Sequence, residues 1–134
     1  MALQYSTTVR NAQLDALESA VGTAPVLKLR TGAPPATCGT ADAGTVLVSM
    51  TLPSDWMANA ASGSKGKSGT WQGTASAGGT AAHWRLYASD GTTCHAQGTV
   101  SATGGGGDLV LDNNVIASGQ VVTISAFDVS AANA

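Results

Sequence analysis

The residues best suited to chemistry stand together in AAHWRLYASDGTTCHAQGTV, residues 81–100. In an extended strand His83, Arg85 and Tyr87 share one face and Trp84 and Leu86 the other, because side chains alternate across a strand. A second strand returning after Gly91 brings His95 onto the polar face. Two imidazoles there suggest a metal site or acid–base work. Zinc, however, takes three or four protein ligands, and no third is at hand, while Arg85 repels a cation. Cys94 and His95 are adjacent, so their side chains point to opposite faces and cannot form a thiolate–imidazole pair. Asp15 and Glu18 read as one exposed helix face, and Asp108 and Asp112 flank a strand, so no carboxylate pair is poised for catalysis. No catalytic residue, cofactor-binding residue or metal ligand is assigned, and no cofactor is expected. His83, Arg85 and His95 are expected to be solvated sheet residues.

A second stretch imitates a phosphate-binding loop. Ala61-Ser62-Gly63-Ser64-Lys65-Gly66-Lys67-Ser68 fits the loose pattern, with Ala in place of the first Gly. That motif works between a buried strand and a helix, where backbone N–H groups wrap the phosphates. Here WMANA precedes it, and Gly69, Trp71 and Gly73 follow it, so the flanks fail. A surface loop of Gly, Ser and Lys is expected instead.

The elements that must position these residues are mostly short strands. In the hairpin, a three-residue loop Ser89-Asp90-Gly91 puts Gly91 in the left-handed position and pairs Leu86 with Cys94, Trp84 with Ala96 and Ala82 with Gly98. One apolar face and one wet face result. Upstream, Thr7 or Thr8 can cap a helix near 8–21. Leu14, Leu17 and Val21 form its stripe, Gly22 its stop, and Asn11, Asp15 and Glu18 its polar face. Val26–Arg30 alternates as a strand with Leu27 and Leu29 inward. The loop TGAPPATCGTADAG follows, then a strand carrying Val46, Val48, Met50 and Leu52. Residues 54–70 read as loop with one helical turn near Asp55–Ala61. Leu109–Leu111 is a compact strand, and the run from Val121 to Phe127 is apolar enough for a central position. The pattern predicts a mainly β fold, an antiparallel β-sandwich of Greek-key or jelly-roll kind with one short N-terminal helix. Residues 1–6 are expected to be an N-terminal arm, 7–129 a single domain, and 130–134 a flexible tail.

Composition narrows the partners. The 134 residues carry a net charge of −2, and charged residues make up 10% of the chain, against about 25% in ordinary soluble domains. A neutral surface of Ser, Thr, Ala and Gly has little electrostatic protection against association. Six Lys and Arg without a basic stripe argue against nucleic acid. No apolar run reaches the roughly 20 residues of a membrane span, and MALQYSTTVR shows no secretory signal. Cys38 and Cys94 fit no metal or redox spacing and are expected to be reduced, since a disulfide needs a fold that brings their Cα atoms within about 7 Å. Trp84 belongs to the core by register. Trp56 and Trp71 either cover the ends of a sandwich or anchor a partner.

Taken in order, LRTGAPPATC, TVLVSMTLPSDWM, HWRLYASDGTTCHAQGTV and GGDLVLDNNVIASGQVVTISAF resemble a family of small virion structural proteins of tailed bacteriophages and prophages, over roughly residues 6 to 129. Some members are head decoration, or cement, proteins. The resemblance implies a β-sandwich that binds the outer surface of the major capsid protein lattice and bridges neighbouring subunits, made in the host cytoplasm and residing on the virion. Self-association as a dimer or trimer on the shell is expected. The resemblance carries over no site residue. Contacts with the shell are expected from the arm near Tyr5, the loop 33–44 with Pro34 and Pro35, the loop 54–70 with Trp56, and Trp71. The alternative is a phage tail or receptor- or carbohydrate-binding β-sandwich module. It calls for aromatics on a concave face, where only Tyr87 is on offer.

Overall fold

The computed structural model describes residues 3–131. Helix α1, Thr7–Val21, is capped by Ser6, ahead of the expected Thr7 or Thr8. Ser6 Oγ accepts from the Val9 amide at 3.2 Å, satisfying one of the donors that a helix start leaves over. Gly22 closes the helix at φ +91°, its amide donating to Glu18 O at 3.0 Å. Leu14 and Val21 are buried and Leu17 packs against the core.

Five strands form the main sheet. They are β1 (Val26–Arg30), β2 (Val46–Thr51), β6 (His83–Tyr87), β7 (Cys94–Ala102) and β8 (Leu109–Leu111), in the order β2-β1-β6-β7-β8. The remaining strands pair in twos: β4 (Trp71–Thr74) with β10 (Val121–Ile124), β3 (Ser64–Gly66) with β11 (Asp128–Ser130), and β5 (Gly79–Thr80) with β9 (Val115–Ile116). β4 leans on β2: Val48 bridges Ala75, and Ser76 donates to Leu47 O at 2.8 Å. The sheet therefore curls, and the fold is mainly β with one helix.

Registry sets the core in layers. Val48, Leu29, Trp84 and Gly98 lie side by side across β2, β1, β6 and β7, as do Met50, Leu27, Leu86 and Ala96. Leu27 and Leu29 are buried as alternation predicts. Gly98 is needed beside Trp84, because a Cβ there would stand 2.8 Å from the indole. Phe127 joins the two sides of the core, its ring centroid 5.3 Å from those of Trp71 and Trp84.

Four expectations need correction here. The hairpin register is shifted: Trp84 faces Gly98 and Leu86 faces Ala96, while Tyr87 faces Cys94 with His95 as the extra residue of a bulge. Asp90 causes the longer turn, since its carboxylate accepts from the Thr92 and Thr93 amides, both at 2.9 Å, and the Thr93 hydroxyl at 2.6 Å. Gly91 does take a left-handed conformation, φ +70°.

The sheet is also not wholly antiparallel, for β7 and β8 run parallel. Such a return usually takes a dozen or more residues. Here Gly104–Gly107 folds straight back over β7, and a Cβ on Gly107 would meet Ser101 N at 2.8 Å. Third, β10 is not central: it pairs only with β4, and Val121 is 55% exposed. Last, residues 55–61 form no helical turn. The segment is instead held by Ala58 N donating to Gly66 O and Ala61 N to Ser64 O, both at 2.9 Å.

At the C-terminal end the expected tail is partly fastened. Ser130 pairs with Ser64, and Ala131 N donates to Gly63 O at 3.0 Å. Residues 132–134 of that tail, and residues 1–2 of the arm, lie outside the described residues.

Candidate functional site

Alternation puts Lys28 and Arg30 of β1 on the same outer face as His83, Arg85 and Tyr87 of β6 and Gln97 of β7. That face is not wet. Residues 31–45 leave β1, cross it and rejoin at β2, closed at the neck by Thr31 N to Thr45 O at 3.1 Å and Thr45 N to Thr31 Oγ1 at 2.9 Å. Under this cover His83, Arg85 and Tyr87 are buried.

Asp42 is the centre of the contact. Its Oδ1 accepts from Arg85 Nη1 at 2.5 Å and from the Tyr87 hydroxyl at 2.6 Å, and its Oδ2 accepts from Arg30 Nη2 at 3.0 Å. Arg85, 2% exposed, spends its other donors on the cover and the next strand. Nη2 donates to Thr37 O at 2.9 Å and Thr40 O at 3.0 Å, and Nε to Gln97 Oε1 at 3.0 Å. Gln97 Nε2 in turn donates to Pro35 O at 2.5 Å. His83 Nδ1–H donates to Gly32 O at 2.7 Å. Arg30 Nε and His83 Nε2 are buried without a hydrogen-bond partner.

Partial burial pushes the Asp42 carboxyl up. The hydrogen bonds from Tyr87 and Arg85 and the charges of Arg30 and Arg85 outweigh it and hold the group below its ordinary value. Burial, reinforced by the bond to Asp42, pushes the Tyr87 phenol above its own.

Cys38 and Cys94 are joined, their Cα atoms 5.3 Å apart, which corrects the expectation of two thiols. The bond fastens the cover to the start of β7. Nothing local in the sequence announces it, because the cysteines meet only once the loop has folded over the sheet.

A second ionic group fixes α1. Lys65 Nζ lies 2.7 Å from Asp15 Oδ1 and 2.8 Å from Glu18 Oε2, with its side chain wholly buried. Asp15 Oδ1 also accepts from Ala60 N at 3.0 Å, and Asn11 Oδ1 from Gly63 N at 2.9 Å. The polar side of the helix is thus its docking face on residues 60–65, rather than the exposed face expected. The Lys65 hydrogen bond, then the Ala60 amide, lowers the Asp15 carboxyl. Burial alone would lower the Lys65 ammonium, but its bonds to Asp15 and Glu18 raise it overall. The phosphate-loop-like stretch is therefore no free loop. Its Lys65 is turned inward, and Lys67 Nζ donates to Gly69 O at 2.7 Å.

The expected partner contacts separate. Tyr5 is 43% exposed ahead of α1, and Pro34 and Pro35 are half-buried in the cover. Trp56 and Trp71 are buried, which removes them as surface anchors. Trp56 Nε1 donates to Gly22 O at 2.9 Å, and Trp71 Nε1 to Trp56 O at 3.2 Å and Ser68 O at 3.1 Å. Their indole N–H groups find backbone acceptors inside the fold, so both rings can be core. His95 is exposed on the bulge, apart from the buried His83.

Among the described residues no group of three or more His, Cys, Asp or Glu is placed to hold a metal ion. No described helix is long and apolar enough to cross a membrane. No family model, curated protein or solved structure matches the chain.

Sequence reasoning missed Asp42 and Arg30. The available signal was thin: a single acid in a loop of Ala, Thr and Gly, opposite two arginines sitting within strands of a chain that has six Lys and Arg in all.

Proposed function

We propose that the chain is a non-enzymatic capsid decoration protein, binding the outer surface of a major capsid protein lattice and stabilising the head. One observation carries most of the weight. Much of the chain's chemically capable side-chain set is turned inward and paired: Arg30, Arg85 and Tyr87 on Asp42, and Lys65 on Asp15 and Glu18. What faces outward is mainly small and neutral, with Leu3, Tyr5, Val9, Val110, Val115 and Val121 as exposed larger groups. Such a surface suits association with protein.

The four segments that resemble phage decoration proteins build the end of β1, the first part of the cover, β2, the β6–β7 hairpin and β8–β10. The finer architecture we assign is a β-sandwich of jelly-roll kind, with β4 and β10 lying across the core from β1 and β6. Cement stabilises a shell by mass action, because it binds only the assembled form. In this reading the segment around Tyr5 and the cover with Pro34 and Pro35 meet the shell, and copies associate there as dimers or trimers. The tail or receptor-binding alternative loses its aromatic, since Tyr87 is buried beneath the cover.

Cosedimentation of the purified chain with expanded heads lacking decoration tests the proposal. Saturable binding to assembled shells, none to free capsid subunits, and weaker binding of Tyr5→Ala are expected. Equal recovery with and without heads would remove the reading.

A further inference from the structure

We propose that residues 31–45 are a redox-released cover, and that the cradle of Arg30, Arg85 and Tyr87 beneath is a binding site for a carboxylate from outside the chain, occupied in the closed form by Asp42. The inference rests on the cradle and stands apart from the capsid reading.

The donors are fixed and the acceptor is removable. Arg30 belongs to β1 and Arg85 and Tyr87 to β6, strands hydrogen-bonded on both sides, and all three residues are buried. Their groups converge on one carboxylate, with a separate guanidinium on each oxygen. Arginine is well matched to a planar carboxylate. Asp42, by contrast, sits on a loop with its side chain 42% exposed.

The grip of the loop is polar and covalent. None of residues 31–45 is fully buried, and its apolar contact is limited to the half-buried Pro34, Pro35 and Cys38. Apart from Asp42 it is held by backbone carbonyls facing Arg30, Arg85, Gln97 and His83, by the Thr31–Thr45 bonds at its neck, and by the Cys38–Cys94 bond. Water can replace polar contacts of this kind, and segments with few buried apolar contacts open most easily. The disulfide therefore decides whether the cover can leave.

The cradle also has hydrogen-bonding capacity beyond what the closed form uses. Arg30 Nε–H belongs to a residue more than nine-tenths buried and has no partner. With Asp42 withdrawn, two guanidinium groups remain, and Lys28 Nζ stands 4.8 Å from the Tyr87 ring centroid at the rim. An anion is the complementary ligand. A dithiol can perform the release: one thiolate opens the disulfide to a mixed disulfide and the second displaces it. Cys38 and Cys94 thereby gain two electrons and two protons, and the dithiol leaves as a cyclic disulfide.

Side-chain NMR of the Arg30 and Arg85 Nε–H groups tests this on the full chain. Acetate is titrated against oxidised and dithiothreitol-reduced protein, with chloride at equal ionic strength as the control. Reduced protein should show saturable shifts at both arginines, at least about tenfold tighter than oxidised protein. Asp42→Asn removes the tethered competitor and should tighten binding to the reduced form by a further factor of about ten or more. The Cys38→Ser, Cys94→Ser double variant should behave as reduced protein without reductant, which keeps the test open if Asp42→Asn does not fold. A blocked aspartyl peptide forms the second arm. Binding more than about tenfold tighter than acetate identifies an acidic peptide, and equal binding a small free carboxylate. Indifference to the disulfide, or no saturable shift with either ligand in any reduced form, overturns the proposal.

Discussion

Asp42 shows how one residue decides the character of a surface. Without it, the outer face of β1 and β6 would carry Arg30, Arg85 and Tyr87 into water; with it, all three are buried. Asp42→Ala leaves two buried guanidinium groups short of their acceptor. Because the carboxylate is 42% exposed, and water screens the pairs, the expected cost in urea unfolding is about 1–3 kcal/mol. The sign of the pH dependence follows from the same contacts. Asp42 and Asp15 hold their protons more weakly folded than unfolded, as does Asp90 through its bonds from the Thr93 hydroxyl and the Thr93 and Thr92 amides. Their contribution is present above the ordinary aspartate value of 3.8 and is lost as the pH falls through their lower folded values. Tyr87 and Lys65 hold theirs more tightly folded, so their contribution is present below the ordinary values of 10.0 and 10.5 and is lost as the pH rises through the folded ones. Unfolding midpoints should fall at both ends of the scale, and Asp42→Asn should flatten the acid limb without abolishing it.

At the scale of elements, alternation was legible where apolar letters carried it. Leu27 and Leu29, and Trp84 and Leu86, face the core as their spacing requires, and Gly22 stops α1. The outer face was misjudged because its cover is built of Gly, Pro, Ala and Thr, letters without an apolar pattern to reveal that they bury anything. The hairpin register escaped for a local reason: Asp90 gathers the Thr92 and Thr93 amides, lengthens the turn, and leaves His95 in a bulge. Small still faces large, since a two-residue shift preserves side-chain faces. The parallel run of β8 depended on close approach by Gly105 and Gly107 and left-handed backbone at Gly104 and Gly106, which a composition of glycines permits without specifying. Gly98→Ala tests the hairpin packing. A Cβ at 2.8 Å from the Trp84 indole and from Asp108 Oδ2 forces a shift, and the thermal midpoint should drop by an amount equivalent to about 1–3 kcal/mol.

The whole molecule is tied by a covalent link between residues separated by 56 positions, spanning the cover, β2, β4 and the central hairpin. Constraining so long a segment of the unfolded chain is worth about 2–4 kcal/mol. Guanidinium unfolding of the Cys38→Ser, Cys94→Ser variant should therefore show a loss of that size, with the far-ultraviolet spectrum of the folded form unchanged. A fall beyond about 5 kcal/mol would mean that the cover supports the core as well. Charge poverty, which at first suggested only an association-prone surface, acquires a structural counterpart: Arg30, Lys65 and Arg85, half of the six Lys and Arg, are buried in internal pairs. On the proposed function, a molecule that pairs half of its cations internally and presents Val110, Val115 and Val121 to solvent would bind a protein lattice in many copies. Quantitative mass spectrometry of purified virions carrying this gene, counting this chain against the major capsid protein, tests that claim most directly. Hundreds of copies per particle, in fixed ratio to the capsid lattice, are predicted; a handful per particle, or none, would contradict it.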